Sequence, residues 1–397
     1  MDNPKVKISE QGSNFLKNGQ LWMYSNNLES DITHIENGSV VDIVDDQNNY
    51  YGTGFLSTLS HITVRIFSKK HETLDETFFK NKIKQAWEFR KTVEPNNLDN
   101  CRLIFGEADG LPGLTVDRYN DTLVTQITCY GLEKRKDILY QALLEVLQED
   151  KQDVCAIYER NDVKAREKEG LTLYKGFYTD TKKDTILVIS ENGLRLNVDI
   201  ENGQKTGYFL DQKSNRVLVR NIAKGKKVLD CFTHTGGFAL NAALGGAQMA
   251  TGVDVSNTAL EEARANAKLN NLENVQFVQA DVFDYLDTLK PHQYDIIILD
   301  PPAFTKSRKT VMKAYNGYKR INKQAMSVLA TGGYLITCSC SRYMETELFE
   351  KMLKEAALET GTTLKQVSVT QQNGDHPILW TMQESSYLKF YIFQIVT

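Results

Sequence analysis

From Lys227 onward the chain alternates short apolar runs with helical stretches, and this alternation constrains the fold more than any other feature. Strands that alternate with helices imply a parallel sheet covered on both faces. Five runs carry the pattern: KVLDCF from Lys227, MATGVDV to Val255, NVQFVQAD to Asp281, YDIIILD to Asp300 and GGYLITCSCS to Ser341. In open sheets of this kind ligands sit beyond the carboxyl ends of the strands. Residues with chemistry collect at those ends. After the first run comes the turn Thr233-His-Thr-Gly-Gly-Phe238, whose glycines would let backbone N–H groups approach a ligand. It is not the G-x-G-x-x-G of nicotinamide enzymes, which disfavours a dehydrogenase. Asp254 closes the second run, where two carboxylate oxygens suit a ribose diol. Asp281, with Val282 beside it, can accept from an adenine amino group; it serves equally as the cap of the helix that follows. Asp300 opens the stiff exit Asp300-Pro-Pro-Ala-Phe304.

The fifth run ends at Cys338 and Cys340, the one closely spaced pair among six cysteines. In an ideal strand the two side chains share a face. Cys340 lies nearer the ligand edge and is the candidate nucleophile. Cys338 and Cys231 read as small buried hydrophobes. No His and Cys cluster has zinc-ligand spacing, so no metal is expected.

Upstream, residues 1–72 are short strand-like runs broken by turns, which implies a small all-β module. Residues 73–185 open with a helix over Asp75–Val93 and continue as a mixed α+β domain. There Cys101–Tyr119 reads as a hairpin around Leu111-Pro112-Gly113. Asn192-Gly193 between two alternating runs predicts a further hairpin. It opens the third region, 186–397. The fold class is therefore α/β: a Rossmann-like sheet at the C-terminus, an N-terminal all-β module and a central α+β domain.

No apolar run approaches the roughly 20 residues of a membrane helix, and the polar N-terminus lacks a signal core. A cytoplasmic protein with reduced thiols and no membrane partner is expected. The net charge of −4 gives no global pull toward nucleic acid. Local basic stretches at Lys69 and Lys70, Phe79–Lys91, and Lys306, Arg308, Lys309 and Lys313 are either solvated faces or phosphate contacts.

DCFTHTGGF, GVDVS, QADVFDYL and DPPAF, in that order, resemble the class I S-adenosylmethionine-dependent methyltransferases. LKNGQLWMYSNNLES resembles the opening of a PUA domain, an RNA-binding β-barrel. GEADGLPGLTVDRY and GQKTGYFLDQ resemble stretches of the large-subunit ribosomal RNA cytosine-5 methyltransferases that carry such a domain. The resemblance spans nearly the whole chain. It implies S-adenosylmethionine as cofactor, RNA as partner, and a homodimer. Asp230, Phe232, Gly236 and Gly237 would border the methionine and ribose. Asp254, with Val255 next to it, would hold the ribose, and Asp281 and Val282 the adenine. Thr206, Tyr208 and Phe209 would close over the cofactor, with Asp211 and Gln212 near them. Asp300 and Pro301 would face the reacting centre. Asp375-His376-Pro377 also resembles the family, and there His376 suits a loop-capping role.

Carbon 5 of cytosine is a poor nucleophile, and a thiolate adding to carbon 6 makes it enamine-like. That chemistry assigns Cys340 as nucleophile and Asp300 as the group that steadies the protonated base. Many RNA cytosine-5 methyltransferases have a cysteine directly after the proline of this motif; here the motif has none, so one thiol carries the scheme. The target base must leave its stack, and Phe304 and Tyr343 are candidates to stack unpaired bases. Two other readings stay open: methylation of a ring or exocyclic nitrogen of guanine or adenine at Asp300-Pro301-Pro302, and a non-catalytic RNA-binding assembly factor.

Overall fold

A computed structural model describes residues 3–397. The chain forms two compact units. The first runs up to Ile189 and recruits Val198–Leu210 and Gly374–Ser385; the second comprises Ser190–Asn197, Asp211–Asn373 and Ser386–Thr397.

The first unit holds two five-stranded sheets. One runs, in spatial order, Lys5–Lys7, Val40–Val44, Tyr50–Leu56, Ile62–Ser68, Trp22–Tyr24. This module is not wholly β. An eight-residue helix, Glu10–Lys17, starts where the Ser9 hydroxyl accepts from Gly12 N at 3.2 Å. Its Gly12 and Ser13 are weak helix formers, so the cap and the packing of Leu16 carry it rather than propensity. The other sheet orders Tyr174–Phe177, Ala156–Asn161, Thr122–Ile127, Leu114–Tyr119, Asn100–Phe105. The last two strands are the hairpin expected around Leu111-Pro112-Gly113. Helix Glu76–Val93 begins at Asp75, whose Oδ1 accepts from Phe78 N at 3.0 Å. Phe79, Ile83 and Ala86 repeat at helical spacing, with Trp87 alongside, and bury that face with Leu103, Val116 and Leu143.

Beside this core runs a buried polar network drawn from three separate stretches of chain. Arg90 grips Asp109 at 2.5 and 2.7 Å and donates to the Asp375 carbonyl at 2.9 Å. Arg102 holds both Asp117 oxygens at 2.7 Å, and its backbone N–H donates to Asp375 Oδ2 at 2.9 Å. The Thr206 hydroxyl donates to Asp117 as well. Two buried arginines are thereby paired and hydrogen-bonded, the condition under which buried charge is tolerated.

The second unit is a seven-stranded sheet with helices. Its strands are β1 (Lys227–Cys231), β2 (Met249–Asp254), β3 (Val275–Gln279), β4 (Ile296–Leu299), β5 (Tyr334–Ser339), β6 (Leu364–Thr370) and β7 (Lys389–Ile395). The spatial order is β3-β2-β1-β4-β5-β7-β6. The five expected strands are parallel. Two more follow them, and β7 enters antiparallel between β5 and β6. Of the helices, α1 (Gly237–Leu244), α2 (Asn257–Leu269) and α3 (Val311–Val328) matter below. The Asn192-Gly193 hairpin is present, both residues left-handed at φ 52° and 78°. Its second strand donates from Asn197 N to Asn266 Oδ1 of α2 at 2.8 Å.

Candidate active site

The carboxyl edge of the sheet gathers the residues that the sequence singled out. Where β1 ends, the chain turns through Phe232 at φ 62° and His234 at φ 51° before Gly236 at φ 87° starts α1. Two non-glycine residues in the left-handed region mark stored strain, which persists only where surrounding contacts impose it. Here Thr233 N donates to Val253 O at 3.0 Å, and His234 N to Asp254 Oδ2 at 3.0 Å. A side chain on Gly236 would meet Phe277, Ala263 and Leu240 at 3.1–3.2 Å. Asp254 also accepts from Ser256 N at 2.9 Å. The acid at the end of β2 therefore holds the β1 loop as well as facing the edge.

Asp230 is 1% exposed. Its Oδ2 accepts from the Thr233 hydroxyl at 2.5 Å and from Ala239 N at 2.9 Å. Its Oδ1 is buried with no hydrogen-bond partner. A buried acceptor without a donor is costly and fits the ammonium of a bound methionine moiety. Burial raises the carboxyl to about 7, helped by Asp300 and Asp254 and opposed by the bonds from Thr233 and Ala239. Ionisation of Asp230 thus opposes folding: the cost is absent below the ordinary value of 3.8 and complete above about 7. Asp230→Asn is expected to raise the unfolding midpoint of the ligand-free protein by a few degrees at pH 8. The gain should shrink as pH falls toward 4, and S-adenosylmethionine affinity should drop at least about tenfold. Differential scanning calorimetry with and without the ligand reads both effects.

Asp281 caps the helix Val282–Asp287 through Oδ1, which accepts from Phe283 N at 2.8 Å and Asp284 N at 3.3 Å. Its Oδ2 takes no part in the cap. Val282 is 2% exposed within the core, and Val255 is 60% exposed beside Asp254. Asp300 follows β4; Gln212 donates to its Oδ2 at 3.1 Å, and Asn215 holds Gln212 Oε1 at 2.7 Å.

The two cysteines part company. β5 ends at Ser339, so the strand rule that would set them on one face stops short of Cys340. Cys338 is fully buried, and burial pushes its thiol well up, with Asp300 next in effect. Cys340 is only partly buried, at the turn beyond the strand, with Sγ 3.9 Å from the Pro301 carbonyl. The turn is clamped: Tyr318 of α3 bonds Ser339 at 3.1 Å and Ser341 at 3.0 Å, and Lys389 of β7 donates to the Ser341 carbonyl at 2.9 Å.

Thr206, Tyr208 and Phe209 belong to the first unit, where Tyr119 bonds the Thr206 hydroxyl at 3.1 Å and receives Tyr208 N at 3.2 Å. His376, also of that unit, is 2% exposed and pairs with Asp375 at 2.7 Å against Phe105. Phe304, partly buried, lies 4.6 Å from Tyr318 and 6.2 Å from Phe283 between ring centroids. Sequence reasoning missed Lys389, although a lysine heading the apolar strand KFYIFQI was the available signal. Among the described residues no group of three or more His, Cys, Asp or Glu is arranged to hold a metal. No described helix is long and apolar enough to cross a membrane.

Strand order, glycine turn and acids define an S-adenosylmethionine-dependent methyltransferase. Residues 178–381 match the family described by that phrase, and residues 6–69 match a PUA-like domain. The chain is 37% identical over 399 residues to Ribosomal RNA large subunit methyltransferase I of Klebsiella pneumoniae, covering 99% of this chain and 98% of that one. With the Shigella dysenteriae protein of the same name the identity is 39% over 365 residues, 90% of each. It belongs to the ribosomal RNA large subunit methyltransferase I family. Two solved structures are similar throughout. One is a Streptococcus mutans protein assigned as an S-adenosylmethionine-dependent methyltransferase, at TM-score 0.82 and 25% identity over 98% of this chain and 100% of that one. The other, assigned as a methyltransferase and crystallised with S-adenosylhomocysteine, gives 0.83 and 25% over 99% and 100%.

Proposed function

We propose that this enzyme methylates carbon 5 of a cytosine in large-subunit ribosomal RNA, with Cys340 as nucleophile. The observation that carries the reading is the partly buried Cys340 thiol, 3.9 Å from the carbonyl of Pro301, beside Asp300. The names of the relatives supply the RNA; the thiol supplies the chemistry. Asp230 and the turn to Gly237 hold the methionine end of the cofactor, with Phe232 against it. Asp254 and Val255 border the ribose, and Asp281 and Val282 the adenine. When bound, S-adenosylmethionine supplies a methyl group on a cationic sulfur.

The chain's own residues do the rest. The Cys340 sulfur would donate its electron pair to carbon 6, and carbon 5 would then take the methyl group as the methyl–sulfur bond breaks and its electron pair returns to the cationic sulfur. Asp300, held by Gln212, accepts from the ring nitrogen or amine and steadies its protonated form. Loss of the carbon 5 proton then restores the double bond and expels the thiolate. Pro301, which is buried, fixes the wall beside the sulfur.

RNA contact draws on each unit. In the second, Lys306, Arg308, Lys309 and Lys313 are exposed. In the first, a cleft of ≈ 750 Å³ beside strand Ile62–Ser68 carries Lys69, Lys70 and Lys82, and Trp380 is 94% exposed. An exposed indole suits stacking on an unpaired base. Trp380→Ala is expected to weaken RNA binding roughly fivefold or more and leave S-adenosylmethionine affinity unchanged, as filter binding and calorimetry would show. The family resemblance also supports work in the cytoplasm as a homodimer. Gel filtration with light scattering checks the latter, and a monomer at micromolar concentration counts against it.

The test of the chemistry is 5-fluorocytosine-substituted large-subunit RNA with labelled S-adenosylmethionine, resolved on a denaturing gel. Fluorine at carbon 5 cannot leave as a proton, so the adduct should trap protein on RNA. No trapped band, with methyl transfer to unsubstituted RNA intact, would remove the thiol from the mechanism.

A further inference from the structure

Lys389 is the only charged residue in β7. In register it faces Ser339, the last residue of β5. It is 7% exposed, and long charged side chains are rarely buried without a specific partner. Its ammonium donates to the Ser341 carbonyl at 2.9 Å. Cys340 thus lies between two residues that are each tied down: Ser339 through the β5–β7 register and Tyr318, Ser341 through Tyr318 and Lys389. The ionisable groups that act on Lys389 are Cys340 and Glu345. Burial lowers its ammonium to about 8 while both of them oppose that fall. The ammonium therefore remains the main form at neutral pH.

We propose that Lys389 is the positioning residue of the Cys340 nucleophile: from the Ser341 carbonyl its buried ammonium fixes the turn and favours the thiolate of Cys340. The inference rests on the assignment of Cys340 as nucleophile. The cation serves the reaction twice. It favours loss of the S–H proton to solvent before sulfur attacks carbon 6, and it receives the negative sulfur again when the S–C6 bond breaks. A thiolate is the reactive form, and a neighbouring cation in a desolvated site is an established way to secure it.

The test uses the full chain and three variants. Lys389→Met removes charge and donor. Lys389→Gln keeps an N–H donor for the Ser341 carbonyl but not the charge, and serves if the methionine variant fails to fold. Lys389→Arg keeps the charge. The first readout is the rate of iodoacetamide alkylation at Cys340, followed by peptide mass spectrometry from mildly acidic to mildly alkaline pH, without RNA or cofactor. The second is kcat and KM for methyl transfer. Both uncharged variants should alkylate Cys340 roughly tenfold more slowly at neutral pH. Their kcat should fall in parallel with KM for S-adenosylmethionine unchanged, and Lys389→Arg should recover most of the loss. A wild-type alkylation rate in Lys389→Gln would overturn the proposal, because the hydrogen bond alone would then suffice. Failure of the nucleophile assignment looks different: Cys340→Ala would keep methyl transfer, while the alkylation assay would still report on Lys389 and the thiol.

Discussion

Cys340→Ala should lower methyl transfer to RNA by at least about 10³-fold, while Cys338→Ala stays within a few-fold of the parent enzyme. The contrast follows from where β5 stops. Cys338 lies inside the strand, fully buried, in the core formed with Ile336, Phe390 and Ile392. Its replacement removes one sulfur from a packed interior, a loss of packing and not of mechanism. Cys340 lies past the strand end at the Pro301 carbonyl and is only partly buried. With the proposed nucleophile gone carbon 5 should not be activated, and cofactor binding should persist because Cys340 is not among the residues assigned to the cofactor. Single-turnover kinetics with labelled cofactor, paired with calorimetric titration, separates the two effects. If Cys340→Ala kept its rate, the Asp300-Pro301-Pro302 edge would be left to methylate an amine.

The largest effect on stability is expected at Asp117. The carboxylate is fully buried, holds both ends of the Arg102 fork at 2.7 Å, and takes the Thr206 hydroxyl. Asp117→Ala strands a buried guanidinium, and breaking one side of such a pair costs about 3–5 kcal/mol. The unfolding midpoint of the first unit should fall by on the order of 10 °C. Asp117→Asn keeps the shape and part of the bonding and should lose less. A fall of only a degree or two in Asp117→Ala would mean that water reaches Arg102 and replaces its partner.

How far the sequence could be read depended on how local the cause was. The β1 to β5 runs, the Asn192-Gly193 turn and the Asp75 cap were legible, because period, turn chemistry and capping act within a few residues. Asp281 was read as a helix cap or an adenine acceptor, and the structure shows the cap made with one oxygen while the other takes no part in it. Non-local causes were invisible. Thr206 was placed with the cofactor by resemblance; that its hydroxyl also meets Asp117, 89 residues earlier, is a contact no local pattern announces. Lys389 meets the Ser341 carbonyl 48 residues away through strand pairing that no local pattern announces. Phe304 was read as a candidate for stacking on a base; its ring contacts with Tyr318 and Phe283 come from other elements that no local pattern shows.

The position of β7 has a consequence for biosynthesis. It is the last of the seven strands to leave the ribosome, yet it lies between β5 and β6, both made earlier. The first unit likewise waits for Gly374–Ser385. Neither unit can reach its final form in stages behind the exit tunnel, so a nascent chain stalled before Lys389 should lack both the clamp on Ser341 and the sheet that carries the thiol. Activity in such an enzyme begins only once β7 has been made, and a chain broken off before that point should leave behind exposed strand edges in place of a weakened catalyst.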